Sequence, residues 1–586
     1  MSGTVLKAST EPEDQAATPE VDEAAHPGAA LPVAGGAAID QPVSDAESVP
    51  EPAKPAPAAA PAPIPLSRSV VCILAAVFLS LSQGLGMNFI AANILQIQGS
   101  FGATTNEATW LLAAYMVPNA SLSLIMVKVR NQYGLRSFAE IGILVFVAIS
   151  IVHLFVDDFN TALVLRFFAG AAASPMSSLG FLYMLEAFPL ARKMNWGLCA
   201  SLANIAIAAP LARILSPTLL DIGGWHAMYM FEVALALIAF AFVYLVKLTP
   251  MPRAKVIGVM DIVSYLFIGA GFGCLAIVLT LGRLYWWTEA PWLGELLVAS
   301  IVALTAAAVI ELNRKSPLLD IRWITSREIL HLTGVLLIFR VALTAQTSGS
   351  TGFSQVLGLA PETAQWMWVA VLAVSIIAGL GCAFLMQPGR EPLLHIIALV
   401  LIAAGSYMDA FATNLTRPDQ MIVSQMLIAA GGAFFLPPAL RLGLMSALKN
   451  GPNYILSFIV IFLFTQSLGG LLGSALLGSF VTLREKFHSS YLVEQLPFTD
   501  PLVASRVSQL GGAYGRVLTD KALQNAEGVQ LLGQLATREA NILAYNDLYY
   551  LTFIICVAAL AALLIHVLYD ALKARLQPNP ATAAQS

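Results

Sequence analysis

The chain has 586 residues, 58% of them hydrophobic and only 11% charged, with a formal net charge of −4 and a mean hydropathy of +0.75. Soluble domains carry about 25% charged residues, which excludes water as the solvent for most of this sequence. The small net charge owes much to an acidic N-terminal stretch and gives no reason to expect nucleic acid as a partner; the lipid bilayer is the surrounding the composition demands.

Residues 1–66 are rich in Pro, Ala and acid, as in "EPEDQAATPEVDEAAHPG" and "PAKPAPAAAPAPIP". They lack the basic start and short apolar core of a cleavable signal peptide and are expected to be a disordered, cytoplasmic acidic tail. Beyond them, apolar stretches of the roughly 20 residues needed to cross a hydrocarbon core about 30 Å thick follow one another. They lie near 69–92, 107–127, 137–157, 161–187, 196–219, 224–246, 260–282, 293–311, 329–347, 365–387, 393–413, 420–440, 454–481 and 547–570. Backbone groups inside a membrane must be paired within the segment, so these fourteen spans are predicted to be helices. The five cysteines all fall inside spans with no CxxC spacing, and read as buried apolar thiols.

Basic residues near the spans set orientation. One set of short loops holds Lys128, Arg130, Arg136, Arg192, Lys193, Lys247, Arg253, Lys255, Arg314, Lys315, Arg322, Arg327, Arg390, Arg441 and Lys449; the alternate short loops hold only Arg283 and Arg417. This asymmetry predicts that both termini are cytoplasmic and that the polar stretch before the last span, residues 484–546, lies outside the cytoplasm. In a bacterium with two membranes that compartment is the periplasm.

Three stretches carry a resemblance. "DIVSYLFIGAGFGCLAIVLTLGRLYWWTEAPW" runs from Asp261 to Trp292 and leads to "ELNRKSPLLDIRWITSREIL" from Glu311; "FTQSLGGLLGSALLGSFVTLREKFHSSYLVEQL" surrounds span 13; "REANILAYNDLYYLTFI" approaches the last span. Together these resemble fourteen-span drug:proton antiporters of the major facilitator superfamily, in particular EmrB-type exporters. The resemblance implies an all-α integral membrane protein with the major facilitator fold: two six-helix bundles and two inserted linker helices, with substrate held between the bundles and exposed alternately to each side. On that map 67–247 is the first bundle, 248–328 the linker with two extra spans, 329–570 the second bundle including 484–546, and 571–586 a cytoplasmic tail. "VKVRNQYGLRSF" occupies the place of the superfamily's cytoplasmic gate motif, with Arg130, Gly134 and Arg136 as its matching residues and Asn131 where an Asp is common. Gly469, Gly473 and Gly478 have the small-residue spacing that lets helices approach closely in lipid.

Charges inside a bilayer are costly, so those present should face the protein interior. Arg166, Arg213, Glu232, Arg340 and Asp409 lie within spans. Arg166 resembles the family's span-4 arginine, linked there to proton transfer; the plainer reading is a structural arginine bonded to backbone carbonyls. Relatives often carry an Asp in span 1 where this chain has Gly86. Glu232 and Asp409 are therefore the candidate proton carriers, since apolar surroundings favour the neutral form of a carboxyl group. An ion pair between Glu232 and Arg213 is a competing reading of that acid. Arg213 and Arg340 are candidate substrate-cavity residues, and three interior arginines against two acids suit an organic acid better than a cationic dye.

The histidines are scattered without metal spacing, and no Walker, G-x-S-x-G or H-E-x-x-H pattern occurs. No cofactor or metal is expected, and a gradient is the expected energy source. In the outer segment, Leu483, Phe487, Tyr491, Leu492 and Leu496 follow near-helical spacing. Span 13 is predicted to continue outward as a helix, with a turn at "QLPFTDPL" and two amphipathic helices returning to the last span. The resemblance implies docking of this segment to a periplasmic membrane-fusion adaptor and, through it, an outer-membrane channel; a solvated cap over the pathway is the alternative. The expected protein is an inner-membrane, proton-driven exporter of toxic or amphipathic small organic molecules. Alternatives are a lipid-linked flippase, an organic-acid transporter with non-standard coupling, and, from another class, a membrane-embedded enzyme or respiratory proton-pump subunit.

Overall fold

The computed structural model describes residues 65–249, 253, 255–314 and 317–576. The expected acidic tail at 1–66 lies outside these residues except for Pro65 and Leu66, and Leu66 already opens the first helix. Of the expected tail at 571–586, residues 571–576 continue the last helix and the rest lies outside the described residues.

Among the described residues the secondary structure is entirely helical, and thirteen helices are long and apolar enough to cross a membrane. The first group comprises α1 (Leu66–Ala92), α2 (Thr105–Tyr133), α3 (Leu135–Val152), α4 (Phe159–Glu186) and α5 (Leu198–Leu245). Local chemistry sets their starts. Thr104 and Glu107 form a capping box for α2, and Asp158 accepts from the Thr161 N–H to cap α4. At 48 residues α5 would be about 72 Å long if straight, more than twice the hydrocarbon thickness. It is not straight: Gly223 and Gly224 have non-helical backbone angles, and Gly224 adopts φ +60°, a conformation glycine tolerates without a Cβ penalty. The spans expected at 196–219 and 224–246 correspond to the two halves of this broken helix, which is consistent with fourteen passes.

The next pair is α6 (Val259–Leu281) and α7 (Pro291–Leu312). They pack on each other, and α6 packs on α2. A buried ion network fastens them. Asp261 Oδ1 accepts from Lys128 Nζ at 2.8 Å and Arg314 Nη2 at 2.6 Å, while Arg314 Nη1 donates to Glu311 Oε1 at 2.8 Å. Glu311 Oε2 accepts the backbone N–H groups of Leu318 and Leu319. Burial opposes the charge on Arg314, but its hydrogen bonds to Asp261 and Glu311 outweigh this and raise its pKa.

The remaining elements are α8 (Arg327–Thr344), α9 (Gln365–Leu385), α10 (Glu391–Asp409), α11 (Ile422–Asn450), α12 (Pro452–Glu494), α13 (Pro501–Gly512) and α14 (Lys521–Leu576). A π-helical turn, Ala345–Gly349, follows α8. Helix α10 packs between α11 and α14, and α12 packs on α8 and α14. Contacts between α9 and α5 join this group to the first. The outer segment differs from expectation in one respect. The helix to Glu494, the turn after it and α13 follow the sequence reading, but the final amphipathic stretch and the last span form one uninterrupted helix, α14. Its sequence has no proline to break it.

Candidate functional site

Glu232 projects from the second pass of α5 and is 5% exposed; Arg166 projects from α4 and is fully buried. Both meet Gly86 on α1. A Cβ built on Gly86 would lie 2.6 Å from Glu232 Oε1 and 3.0 Å from Oε2, so the carboxyl group fills the space a side chain there would need. Arg166 Nη2 donates to the Gly86 carbonyl oxygen at 3.0 Å. Its guanidinium carbon stands 4.5 Å over the Tyr115 ring, while Nε and Nη1 are buried without a well-formed hydrogen bond. Tyr229, one turn before Glu232, stacks on His153. Three helices thus bring a carboxyl, a guanidinium and an exposed carbonyl edge to one buried point.

The competing pair, Glu232 with Arg213, does not form. Arg213 lies before the Gly223–Gly224 break and Glu232 after it, and the two passes turn them to different neighbours. Arg213 Nη2 donates to the Thr347 carbonyl at 3.0 Å, Nη1 to the Ala209 carbonyl at 3.2 Å and Nε to Thr351 Oγ1 at 3.3 Å. Its guanidinium also covers the Trp368 ring at 4.6 Å. It is therefore a contact from α5 to the group of helices beginning at α8. Arg340 Nε donates to the Gln466 carbonyl at 3.3 Å, and its stem lies against Gly469. Among the described residues neither Arg213 nor Arg340 has a carboxylate partner.

Asp409 ends α10, far in sequence and packing from Glu232. It is 4% exposed, accepts from Gln425 Nε2 at 2.7 Å and contacts Ser424 Oγ. Gly473 packs on Thr344 and Val341 of α8, and Gly478 abuts the Arg283 side chain. At the gate motif, Gly134 takes φ +86° beside the Arg253 side chain, and Arg136 pairs with Glu140 at 2.7 Å. Arg130 makes no ion pair among the described residues, and its Nε is buried without a hydrogen bond. No cluster of three or more His, Cys, Asp or Glu residues suited to a metal ion occurs among the described residues.

Sequence reasoning missed the use of Gly86 as space for Glu232, and missed Lys128 as the partner of Asp261. Neither pairing is marked locally in the sequence, because each joins residues on two different helices.

Helices that cross a membrane many times, with acids and arginines held between them rather than toward lipid, define a polytopic membrane transporter. Residues 74–474, more than half of the chain, match the model of the Major Facilitator Superfamily, and the chain belongs to that family. It is a transporter and not an enzyme. It is 23% identical over 493 residues to the multidrug export protein EmrB of Haemophilus influenzae, covering 82% of this chain and 92% of that protein. It is 24% identical over 475 residues to the fatty acid resistance protein FarB of Neisseria gonorrhoeae, covering 76% and 89%. The EmrB-type resemblance read from the linker and span 13 therefore extends over most of the chain. Among solved structures, the human organic anion transporter MFSD10 (TETRAN) superposes with a TM-score of 0.50 at 12% identity, covering 84% of this chain and all of that one, a likeness of fold.

Proposed function

We propose that the protein is a proton-driven exporter of amphipathic small organic molecules in a bacterial inner membrane, with Glu232 as proton carrier and Arg166 as its responsive partner. The observation that carries this is the buried meeting of Glu232, Arg166 and Gly86. With Glu232 neutral, Arg166 bonds the α1 carbonyl. With Glu232 ionised, the nearby carboxylate competes for the guanidinium as an anion, adding the attraction of opposite charges that a neutral carbonyl lacks. Protonation thus alters how α1, α4 and α5 are held together, and moving bundles against each other is how this fold alternates access. The names of the two relatives, a multidrug exporter and a fatty acid resistance protein, support efflux as the direction.

The basic loops support cytoplasmic termini, with α13 and the polar part of α14 on the periplasmic side. Exposed Leu483, Phe487 and Tyr491 along the outward end of α12 support adaptor docking there, with an outer-membrane channel beyond. The division into bundles at 67–247 and 329–570, joined by the linker at 248–328, is part of the same reading.

The test is Glu232→Gln in a strain stripped of efflux pumps, assayed with a substrate panel with and without an uncoupler. Loss of uncoupler-sensitive export at normal membrane abundance is the expected result; unchanged export removes Glu232 from the mechanism. A second reading, an organic-anion substrate, is favoured by Arg213 and Arg340 lacking acidic partners among the described residues. Running anionic and cationic members of the panel side by side separates the two.

A further inference from the structure

The environment of Asp409 differs in kind from that of Glu232. No basic side chain pairs with this buried carboxyl among the described residues. Its visible partners are neutral: Gln425 Nε2 at 2.7 Å and the Ser424 hydroxyl. The Ser424 hydroxyl has one hydrogen and two acceptors, since it also lies 2.8 Å from the Met421 carbonyl. It therefore cannot serve Asp409 and Met421 at once.

Around the same carboxyl, side-chain oxygens on three helices are buried without any hydrogen bond. Ser406 Oγ lies one turn earlier on α10, and Gln425 Oε1 belongs to the amide that bonds Asp409. On α14, Tyr549 Oη is orphaned beside Gly349 of the π-helical turn. Asn546 Oδ1, one turn before it, is orphaned too, while its own Nδ2 donates at 2.8 Å to the Ala412 carbonyl just past Asp409. The π-helical turn after α8 closes the nest. Gln346 Nε2 donates to the Gln425 carbonyl at 2.8 Å, and Gly349 leaves room for the Tyr549 ring. Such turns recur at functional sites because they interrupt regular backbone pairing.

Buried polar atoms are ordinarily satisfied, and a cluster of exceptions calls for a cause. A proton on Asp409 neutralises the carboxyl but gives only one hydrogen bond, leaving the other oxygens as they are. A water bonds about three of them but leaves the charge. A small monovalent cation does both: it neutralises a single carboxylate and accepts neutral hydroxyl and amide oxygens, the donor set of hard cations. A divalent ion would leave an uncompensated positive charge in apolar surroundings.

We propose that Asp409, Ser406, Gln425, Asn546 and Tyr549 form a binding site for a small monovalent cation, sodium being the probe ion. The site lies apart from Glu232, so its occupancy is independent of whether Glu232 carries protons for export. The test is equilibrium binding of radioactive sodium to the purified full-length protein in nanodiscs at alkaline pH, with potassium as the bulk salt. Saturable sodium binding near one per chain is expected, competed by lithium and by acid. Asp409→Asn abolishes it, and Tyr549→Phe, which removes only the hydroxyl, weakens it by about tenfold, the low end for a tuning contact. Glu232→Gln keeps it, which separates this site from the proton-carrying reading. Absence of saturable binding to the unaltered protein, or binding untouched by both Asp409→Asn and Tyr549→Phe, overturns the proposal.

Discussion

Two buried acids, Glu232 on the second pass of α5 and Asp261 at the start of α6, are held in opposite ways. Asp261, at the start of α6, is fully answered: it accepts from Lys128 at 2.8 Å, from Arg314 at 2.6 Å and from the Gly258 N–H at 2.8 Å. Glu232, on the second pass of α5, has a guanidinium beside it that is bonded elsewhere, to the Gly86 carbonyl. The first arrangement has one stable solution and fastens α6 and α7 to α2. The second leaves Glu232 without an ion pair among the described residues. On the function proposed above, completeness of pairing separates an acid that holds the scaffold from one placed to respond.

The comparison is most exposed at Asp261. Asp261→Asn leaves Lys128 and Arg314 without their shared anion, and breaking a buried pair costs about 3–5 kcal/mol. The detergent-solubilised protein should melt several degrees lower, with the pH dependence of any remaining transport unaltered. Glu232→Gln should show the reverse profile: export abolished, and a stability loss below about 1.5 kcal/mol, the scale of one hydrogen bond. A melting shift as large as that of Asp261→Asn would show that Glu232 is a structural charge after all.

Gly86→Ala sharpens the contrast. The added methyl must displace the Glu232 carboxyl, an overpacking expected to cost about 1–3 kcal/mol. The double variant Gly86→Ala/Glu232→Ala should melt higher than the sum of its two single losses predicts, because truncating the acid frees the space the methyl needs. Strict additivity in that cycle would place the glycine and the acid in separate roles. The smallest effect is expected at Arg213, whose stacking on Trp368 is worth about 0.5–2 kcal/mol. Thermal melting of Arg213→Ala, Trp368→Leu and the double variant should give a coupling of that size, since the hydrogen bonds of Arg213 are lost in the first and kept in the second.

Much of this architecture was legible from composition, because a bilayer leaves a chain few options and fourteen apolar stretches of the right length are hard to read otherwise. The sequence reading left a gap at 220–223 between two spans, and the structure breaks α5 at Gly223 and Gly224. Pairings were another matter. Asp261 and Glu311 stood out within a recognisable stretch, yet nothing local announced that Lys128 would complete them. Arg213 and Glu232 looked like partners by proximity in sequence, but antiparallel passes carry them to different neighbours. Gly86 was read as a missing acid, whereas its significance is steric: the space above it is filled by an acid arriving from another helix. Side-chain partners of this kind are set by which helices touch, and helix-to-helix contact is not encoded by any one segment.

The unbroken α14 has a mechanical consequence. Its 56 residues make a rod about 84 Å long, running from the polar segment where α13 packs against it down past Tyr549 and into the last membrane pass. With no hinge between its ends, a tilt imposed at one is delivered at the other. In the orientation proposed above, a partner gripping the Lys521 end would feel each transport stroke as leverage, and could in turn brake it.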